Sequence, residues 1–314
     1  MVGINWINDF EWAWGRLRVK KTGAVVPFSK AIRSEVLAWF DFFFAVSKAP
    51  REPGDRFSIA FAPDRPRPWY FIWPVLRLAG ARFVNDPTSA DVVMQFEDAT
   101  RPHPVEAPVS ARGLLMNFGC TDVSKTRVAE AFEEAFGYGL AVDPAKHVGA
   151  AVEKSEENGA HDGRIVQCPM PPKPGRVYQR VVDNRLQGRP ELVEDIRTPT
   201  VGGKPAIVFL KRRPISERFA NANVEVVVAN PEQVYSEAEL ASIERFAQIL
   251  GLDWGGLDVL RDAQEGRLYI VDANKTDMGP PTALPLADKL YATRVMARAF
   301  RAFMTGAAQT DRGN

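Results

Sequence analysis

The rhythm of apolar runs changes part-way along the chain, and that change constrains the fold more than any other feature. "RFSIAFA" (56–62), "ARFV" (81–84), "DVVMQFE" (91–97) and "GLLMNFG" (113–119) are short apolar strands, and "WYFIWPVLRLAG" (69–80) reads as a helix entered through the proline-rich "PDRPRP". Strands alternating with helices argue a parallel, doubly wound sheet. The segment "DVSKTRVAEAFEEAFGYGL" (122–140) is the next helix, with Asp122 or Ser124 as cap and Gly137 as its end. From Gly149 strand follows strand: "GAAVEKS" (149–155), "GRIVQCP" (163–169), "RVYQRVV" (176–182), "LVEDIRTPTVGG" (192–203), "KPAIVFLKRR" (204–213) and "NVEVVVA" (223–229). Their short polar turns indicate antiparallel sheets. One strong helix interrupts them at 236–251, with Ser236 and Glu239 as a capping box and Gly251 as its stop. A last hairpin, "GLDVLRD" and "GRLYIVDA", precedes a C-terminal helix near 284–304.

At 314 residues the chain is long enough for two domains or one large α/β unit. Forty basic and thirty-nine acidic residues leave a formal charge of +1, so no bulk attraction to nucleic acid is expected. Cys120 and Cys168 have no metal-ligand spacing and no secretory signal precedes them, which predicts reduced thiols in a cytoplasmic protein. Three histidines, His103, His147 and His161, lie far apart, so any metal should be a hard cation bound by oxygens. The most apolar segment, "EVLAWFDFFFAV" (35–46), carries Asp41 and is too short to span a membrane, which takes about 20 residues. It predicts a buried helix. Around it, Trp6, Trp12, Trp14 and Trp39 accompany a basic cluster, Arg16, Arg18, Lys20 and Lys21. An extension packed on the main body, or a homodimer contact through these aromatics, is the expectation, with "APREPG" (49–54) as a linker.

The closing hairpin holds the first chemical signal. If its turn centres near Glu265, Asp258 lies opposite Asp272, and directly opposed residues have Cβ atoms about 4.5–5.5 Å apart. Asn274 shares the face of Asp272, because residues two apart on a strand point the same way. Two carboxylates that close repel each other, and Mg²⁺ between them is one solution, since it takes one or two carboxylates and leaves positions for water and phosphate. A plain polar rim is the other. An EF-hand is excluded, because "DANKTDMGPPTA" has Gly at the eighth place and Ala at the twelfth.

"GGLDVLRDAQEGRLYIVDANKTDMGPP" resembles the closing hairpin of the ATP-grasp superfamily, in which an Asp on one strand precedes Glu-x-Asn on the next. Here Asp272 stands for the Glu, and Lys275, Thr276 and Asp277 separate Asn274 from the Gly-Pro where the family has a shorter link. Other segments resemble the family in order. "LLMNFGCTDVSKTRVAEAFEEAFGYGLAVDP" is similar to its opening segment, "GAAVEKSEENGAHDGRIV" to its second lysine strand and phosphate lid, and "RVYQRVVDN" to its adenine hinge. "DIRTPTVGGKPAIVFLKRRPISERFANANVEV" resembles the branch of glutathione synthetases and ribosomal-protein glutamate ligases. The likeness covers about 113–283, and 55–112 by general pattern only.

The resemblance implies an α/β (α+β) ATP-grasp fold. An N-terminal extension (1–54) would precede a Rossmann-like pre-ATP-grasp domain (55–118), two α+β subdomains (119–183 and 184–306) would clasp the nucleotide, and a frayed tail (307–314) would follow. It implies ATP and Mg²⁺ as cofactors, with Mn²⁺ as an alternative metal, on Asp258, Asp272 and Asn274. Lys125 and Lys154 would meet phosphates, Gln179 and Val181 adenine, and Asp183 the ribose. Arg197, with Lys211 or Arg213, would stabilise the transferring phosphoryl group, and either Asn221 or Asn223 would join the site. The implied activity is a carboxylate–amine ligase acting through an acyl phosphate on small-molecule or peptide acids and amines. An ATP-grasp kinase acting on a hydroxyl, and a non-catalytic nucleotide-binding or scaffold protein, are the alternatives.

Overall fold

The computed structural model describes residues 10–13, 16–19, 25–27, 30–107, 113–160, 162–220 and 223–310. Three short strands, β1 (Phe10–Ala13), β2 (Arg16–Val19) and β3 (Val25–Pro27), pair antiparallel where the sequence pattern predicts no element. Trp6, Trp14, Lys20 and Lys21 lie outside the described residues. Helix α1 (Lys30–Lys48) carries the apolar 35–46 segment. It packs on the body through Phe42, Val46 and Phe43, whose ring stacks on Trp73 at 5.2 Å. The apolar pattern predicts a helix buried in a core or between subunits; within this chain one side packs on the body and Leu37 and Phe44 on the other are exposed. No helix among the described residues is long and apolar enough to cross a membrane.

β4 (Phe57–Pro63), helix α2 (Ile72–Ala79), β5 (Ala81–Phe83), β6 (Val92–Phe96) and β7 (Leu114–Met116) form the predicted parallel sheet, in the order β5-β4-β6-β7. Every residue of β6 is buried, which is why its sequence is a continuous apolar run. The 49–54 stretch is tied down rather than free: Glu52 is buried and pairs with Arg294 at 3.0 Å and Arg298 at 2.8 Å.

Helix α3 (Lys125–Phe136) is capped by Ser124, whose hydroxyl accepts from Arg127 N–H, while Asp122 accepts from Ser124 N–H one step outside. β8 (Gly149–Ser155), β9 (Arg164–Cys168) and β10 (Arg176–Arg180) make an antiparallel sheet, ordered β10-β8-β9. The large antiparallel sheet contains β11 (Arg185–Leu186), β12 (Arg189–Val201), β13 (Lys204–Pro205), β14 (Val208–Pro214) and β15 (Glu225–Ala229). After helices α4 (Pro231–Val234) and α5 (Glu237–Leu250), β16 (Trp254–Arg261) and β17 (Leu268–Asn274) complete it in the order β15-β14-β12-β16-β17. The strand expected over 204–213 is broken at Ala206 and Ile207. Pro205 has no N–H to continue the ladder, and the Ala206 N–H turns back to Pro199 O at 3.0 Å. Helix α6 (Leu286–Thr310) runs beyond the expected end near 304 and through the first part of the tail expected to fray; residues 311–314 lie outside the described set.

β12 divides the two cores. Ile196, Leu257 and Val259 on one sheet face pack with Phe132 of α3 and Ile243 and Phe246 of α5. On the other face, Val201, Phe209 and Trp254 pack with Phe71 and Leu76 near and on α2 and with Met296 and Phe300 of α6. That second face turns from apolar to charged further along, where Asp195, Arg197 and Asp258 follow at two-residue steps. Gly251, at φ 69°, ends α5 against the backbone of Gly119, a position where an added Cβ would collide.

Candidate functional site

The charged end of the sheet is one row across three strands. Arg197 on β12 is the register partner of Asp258 on β16, and Asp258 is the partner of Asp272 on β17. Lys211 on β14 stands opposite Asp195, one step along from Arg197. A bulge follows Asp258, where the next pair is Val259 with Ile270. Bulges re-aim side chains next to functional sites; this one lets β17 present Asp272 to the cleft while Ile270 stays in the core.

Two lysines reach the row from the facing subdomain. Lys125, the first residue of α3, is buried and donates to Asp272 Oδ1 at 2.6 Å and Asn158 Oδ1 at 3.3 Å. Lys154 on β8 donates to the Val271 carbonyl at 3.1 Å. Burial, aided by the charge of Lys125 and opposed by Asp272, pushes the Lys154 amine down to about 8. Arg197 lies 3.0 Å from Asp258 Oδ1 and donates to Asp277 Oδ1 at 2.5 Å. Burial raises the Asp258 carboxyl, but the charges of Arg197, Lys211 and Lys125 prevail and hold it at about 2. Arg213 is buried against Asp195 and donates to the Ala220 carbonyl at 2.8 Å. Lys211 makes no hydrogen bond or ion pair among the described residues.

Most of these groups line a cleft of about 200 Å³, but Arg197 and Asp277 stand behind the lining, Arg197 held between Asp258 and Asp277. Lys125, Lys154, Gln179, Lys211, Arg213, Asp258 and Asp272 all face it. Val181 and Asp183 do not. β10 ends at Arg180, and the Asn184 N–H closes a tight turn on Val182 O at 3.1 Å, so Arg180, Val182 and Asn184 line the cleft in their place. Asp183 pairs instead with Arg185, which holds its carboxyl at about 2. Asn274 is also absent from the lining: its amide oxygen accepts from the Thr276 N–H at 2.9 Å. Of the two asparagines left open, Asn221 lies outside the described residues and Asn223 is 3.5 Å from Arg213.

Among the described residues no three His, Cys, Asp or Glu side chains converge on one point. Two carboxylates are what a phosphate-bound Mg²⁺ needs from protein, the remaining positions being water and phosphate oxygen. The donor set fits such an ion. Asp258 Oδ1 is buried and accepts no hydrogen bond, since Arg197 approaches it off the N–H direction. Gln179 likewise aims a buried, unpartnered amide nitrogen at the cleft, a donor suited to a base or sugar acceptor. Arg218 and Phe219 roof this end, Arg218 donating to Val182 O at 2.9 Å and Asn184 Oδ1 at 3.1 Å. No local sequence pattern marks Arg218. Asp277 escaped the residue reading as well, although it falls in the three-residue departure after Asn274.

No protein-family model and no curated protein matches the chain. Solved structures do. ATP-grasp ligase PsnB complexed with minimal precursor, Mg and ADP aligns with TM-score 0.50 at 13% identity, over 82% of this chain and 100% of that one. A RimK-domain ATP-grasp protein from Sphaerobacter thermophilus DSM 20745 gives 0.46 at 14% identity, over 79% of this chain and 99% of that one. D-alanine–D-alanine ligase from Bacillus anthracis complexed with ATP gives 0.45 at 12%, over 82% and 100%. At such identities the likeness speaks to fold alone, and the first of the three carries it.

Proposed function

We propose, for a chain that has the ATP-grasp fold, that it is an ATP- and Mg²⁺-dependent carboxylate–amine ligase working through an acyl phosphate. The observation that carries this reading is the single cleft in which Asp258, Asp272, Lys125, Lys154 and the unpaired Lys211 converge. The PsnB neighbour, complexed with minimal precursor, Mg and ADP, supports a nucleotide and Mg²⁺ as occupants.

Phosphoryl transfer asks little covalent chemistry of a protein and much positioning and charge compensation. Asp258 and Asp272 would hold Mg²⁺, which when bound draws charge from the β- and γ-phosphates. Lys154 and Lys125 supply point charges for phosphate oxygens. Lys211, with no hydrogen bond or ion pair among the described residues, suits the attacking carboxylate, and Arg197, behind the cleft lining, acts on the site through Asp258. In the first step a carboxylate oxygen bonds to the γ-phosphorus and the bond to ADP breaks. In the second, amine nitrogen bonds to the acyl carbon, phosphate leaves, and the nitrogen loses a proton to water. The test is inorganic phosphate release from ATP across a panel of acids and amines. Release that requires an acid and an amine together supports the ligase. ADP formed with a hydroxyl acceptor and no free phosphate supports the kinase instead, and no turnover with any pair, despite nucleotide binding, overturns both.

The depressed Lys154 amine gives a pH signature. Its folded value, about 8, lies below the 10.5 of an unperturbed lysine, so the unfolded chain keeps the proton longer. Stability contributed by this group therefore rises from about pH 8 to 10.5. Phosphate binding needs the charged amine, so affinity for metal-free ADP should fall as pH passes about 8, approaching tenfold per unit. Calorimetric titration across that range checks it; a flat profile, matching that of Lys154→Ala, would remove Lys154 from the phosphate site.

A further inference from the structure

Asp277 is one of three residues, with Lys275 and Thr276, by which this chain departs from the family's shorter link. The segment turns inward. All three side chains are buried, Thr276 donates to Asp98 at 2.8 Å, and the Asp277 carbonyl accepts from Phe71 N–H at 2.8 Å. Asp98 also accepts from the Tyr70 hydroxyl at 2.7 Å, so the segment is stitched to the start of α2. Only 2% of Asp277 is exposed. Its carboxylate sits over Gly256, where an added Cβ would collide with it and lie 2.8 Å from Arg197 Nε.

Arg197 thus faces two carboxylates unequally. It donates to Asp277 Oδ1 at 2.5 Å and stands farther from Asp258 Oδ1, at 3.0 Å and outside good hydrogen-bond alignment. A guanidinium without Asp277 would have one anionic neighbour left, Asp258, and would compete there with any cation. We infer that Asp277 is a positioning residue that anchors the Arg197 guanidinium, so that Asp258 keeps an oxygen free for the metal and Arg197 does not collapse onto it. The inference rests on the proposed role of Asp258 as a metal ligand. It adds that the ligand stays available only because a second carboxylate, from another part of the chain, satisfies the arginine.

The experiment is Mn²⁺ binding in the presence of ADP, followed by electron paramagnetic resonance on the intact protein. The wild type should bind Mn²⁺; no binding would overturn the reading of the site, and this inference with it. Given wild-type binding, Asp277→Asn should raise the Mn²⁺ dissociation constant by about 10–100-fold, the range for residues that act through a ligand. The double variant Arg197→Gln/Asp277→Asn, which lacks the competing cation, should recover most of that loss. A structural role for Asp277 predicts no such recovery. Gly256→Ala, whose Cβ would press on both the Asp277 carboxylate and Arg197 Nε, should disturb their pairing without altering either charge, weaken Mn²⁺ in the same direction and serve if Asp277→Asn does not fold. Unchanged Mn²⁺ affinity in the folded single variants, or an equal loss in the double variant, would overturn the inference.

Discussion

Asp258→Asn is expected to lower ATP turnover by at least about 100-fold while leaving the protein folded, the change being larger than that typical of residues one step removed from a metal. The carboxylate is held near pKa 2 by burial opposed by Arg197, Lys211 and Lys125, so it is charged throughout the working pH range. An amide removes that charge at nearly constant shape, and Asp277 still satisfies Arg197, so no cation is stranded. In steady-state kinetics the loss should fall on kcat and on the Mg²⁺ requirement together. Excess Mg²⁺ should restore part of the rate. In wild-type protein, chelating the metal should weaken ADP binding without unfolding the chain, because the ion pairs of the row persist. Turnover by Asp258→Asn within tenfold of wild type would remove this residue from the metal site.

Asn117→Ala is expected to destabilise the fold by roughly 3–5 kcal/mol, read as a fall in melting temperature on the order of 10 °C for a chain of this size. The side chain is buried at the end of β7, and its oxygen accepts from the N–H groups of Asp253 and Trp254 at 2.8 and 2.9 Å. Its nitrogen donates to the Trp254 carbonyl at 2.9 Å. Alanine leaves those backbone groups without partners, and buried unmade hydrogen bonds are costly. Asn117 also has φ 61°, a left-handed conformation that Asn tolerates better than Ala. Asn117→Gly keeps the conformation and loses the bonds, so the gap between the two variants measures the backbone share. If Asn117→Ala melts within about 2 °C of wild type, the staple between the parallel sheet and β16 is not what the geometry suggests.

The two sites show where sequence patterns suffice. The pairing of Asp258 with Asp272 was legible because antiparallel register follows from a turn and a two-residue period, and the bulge leaves that pair in place. The start of α3 was legible through its capping residues, Asp122 or Ser124, of which Ser124 is the cap; Lys125, its first residue, was named only by the resemblance. The hinge was not. Val181 and Asp183 are carried over by position from the resemblance of "RVYQRVVDN" to the family's hinge, whereas here the chain turns after Arg180 and Val182 and Asn184 line the cleft. Nor does local pattern distinguish a metal-ligand amide from one that closes a turn, which is what Asn274 does with Thr276. Asp277 meets Arg197 across 80 positions of sequence, and the only local trace of their meeting is a glycine, Gly256, with no side chain in the way. The N-terminal strands were illegible for a simpler reason: runs of three or four residues carry too little period to read.

The fold of α6 onto α2 has a bearing on how the protein comes into being. Phe57, Ile59 and the buried face of α2 leave the ribosome before the residues that cover them, Met296 and Phe300, which follow roughly 240 residues later. At ~5–20 residues per second that is a wait on the order of 10–50 s. During the wait α1 and α2 can pack on the parallel sheet, but the face that α6 covers stays bare. Until α6 is made, the residues that Met296 and Phe300 cover stay open to water or to a chaperone, and a chain lacking Phe300 leaves them uncovered.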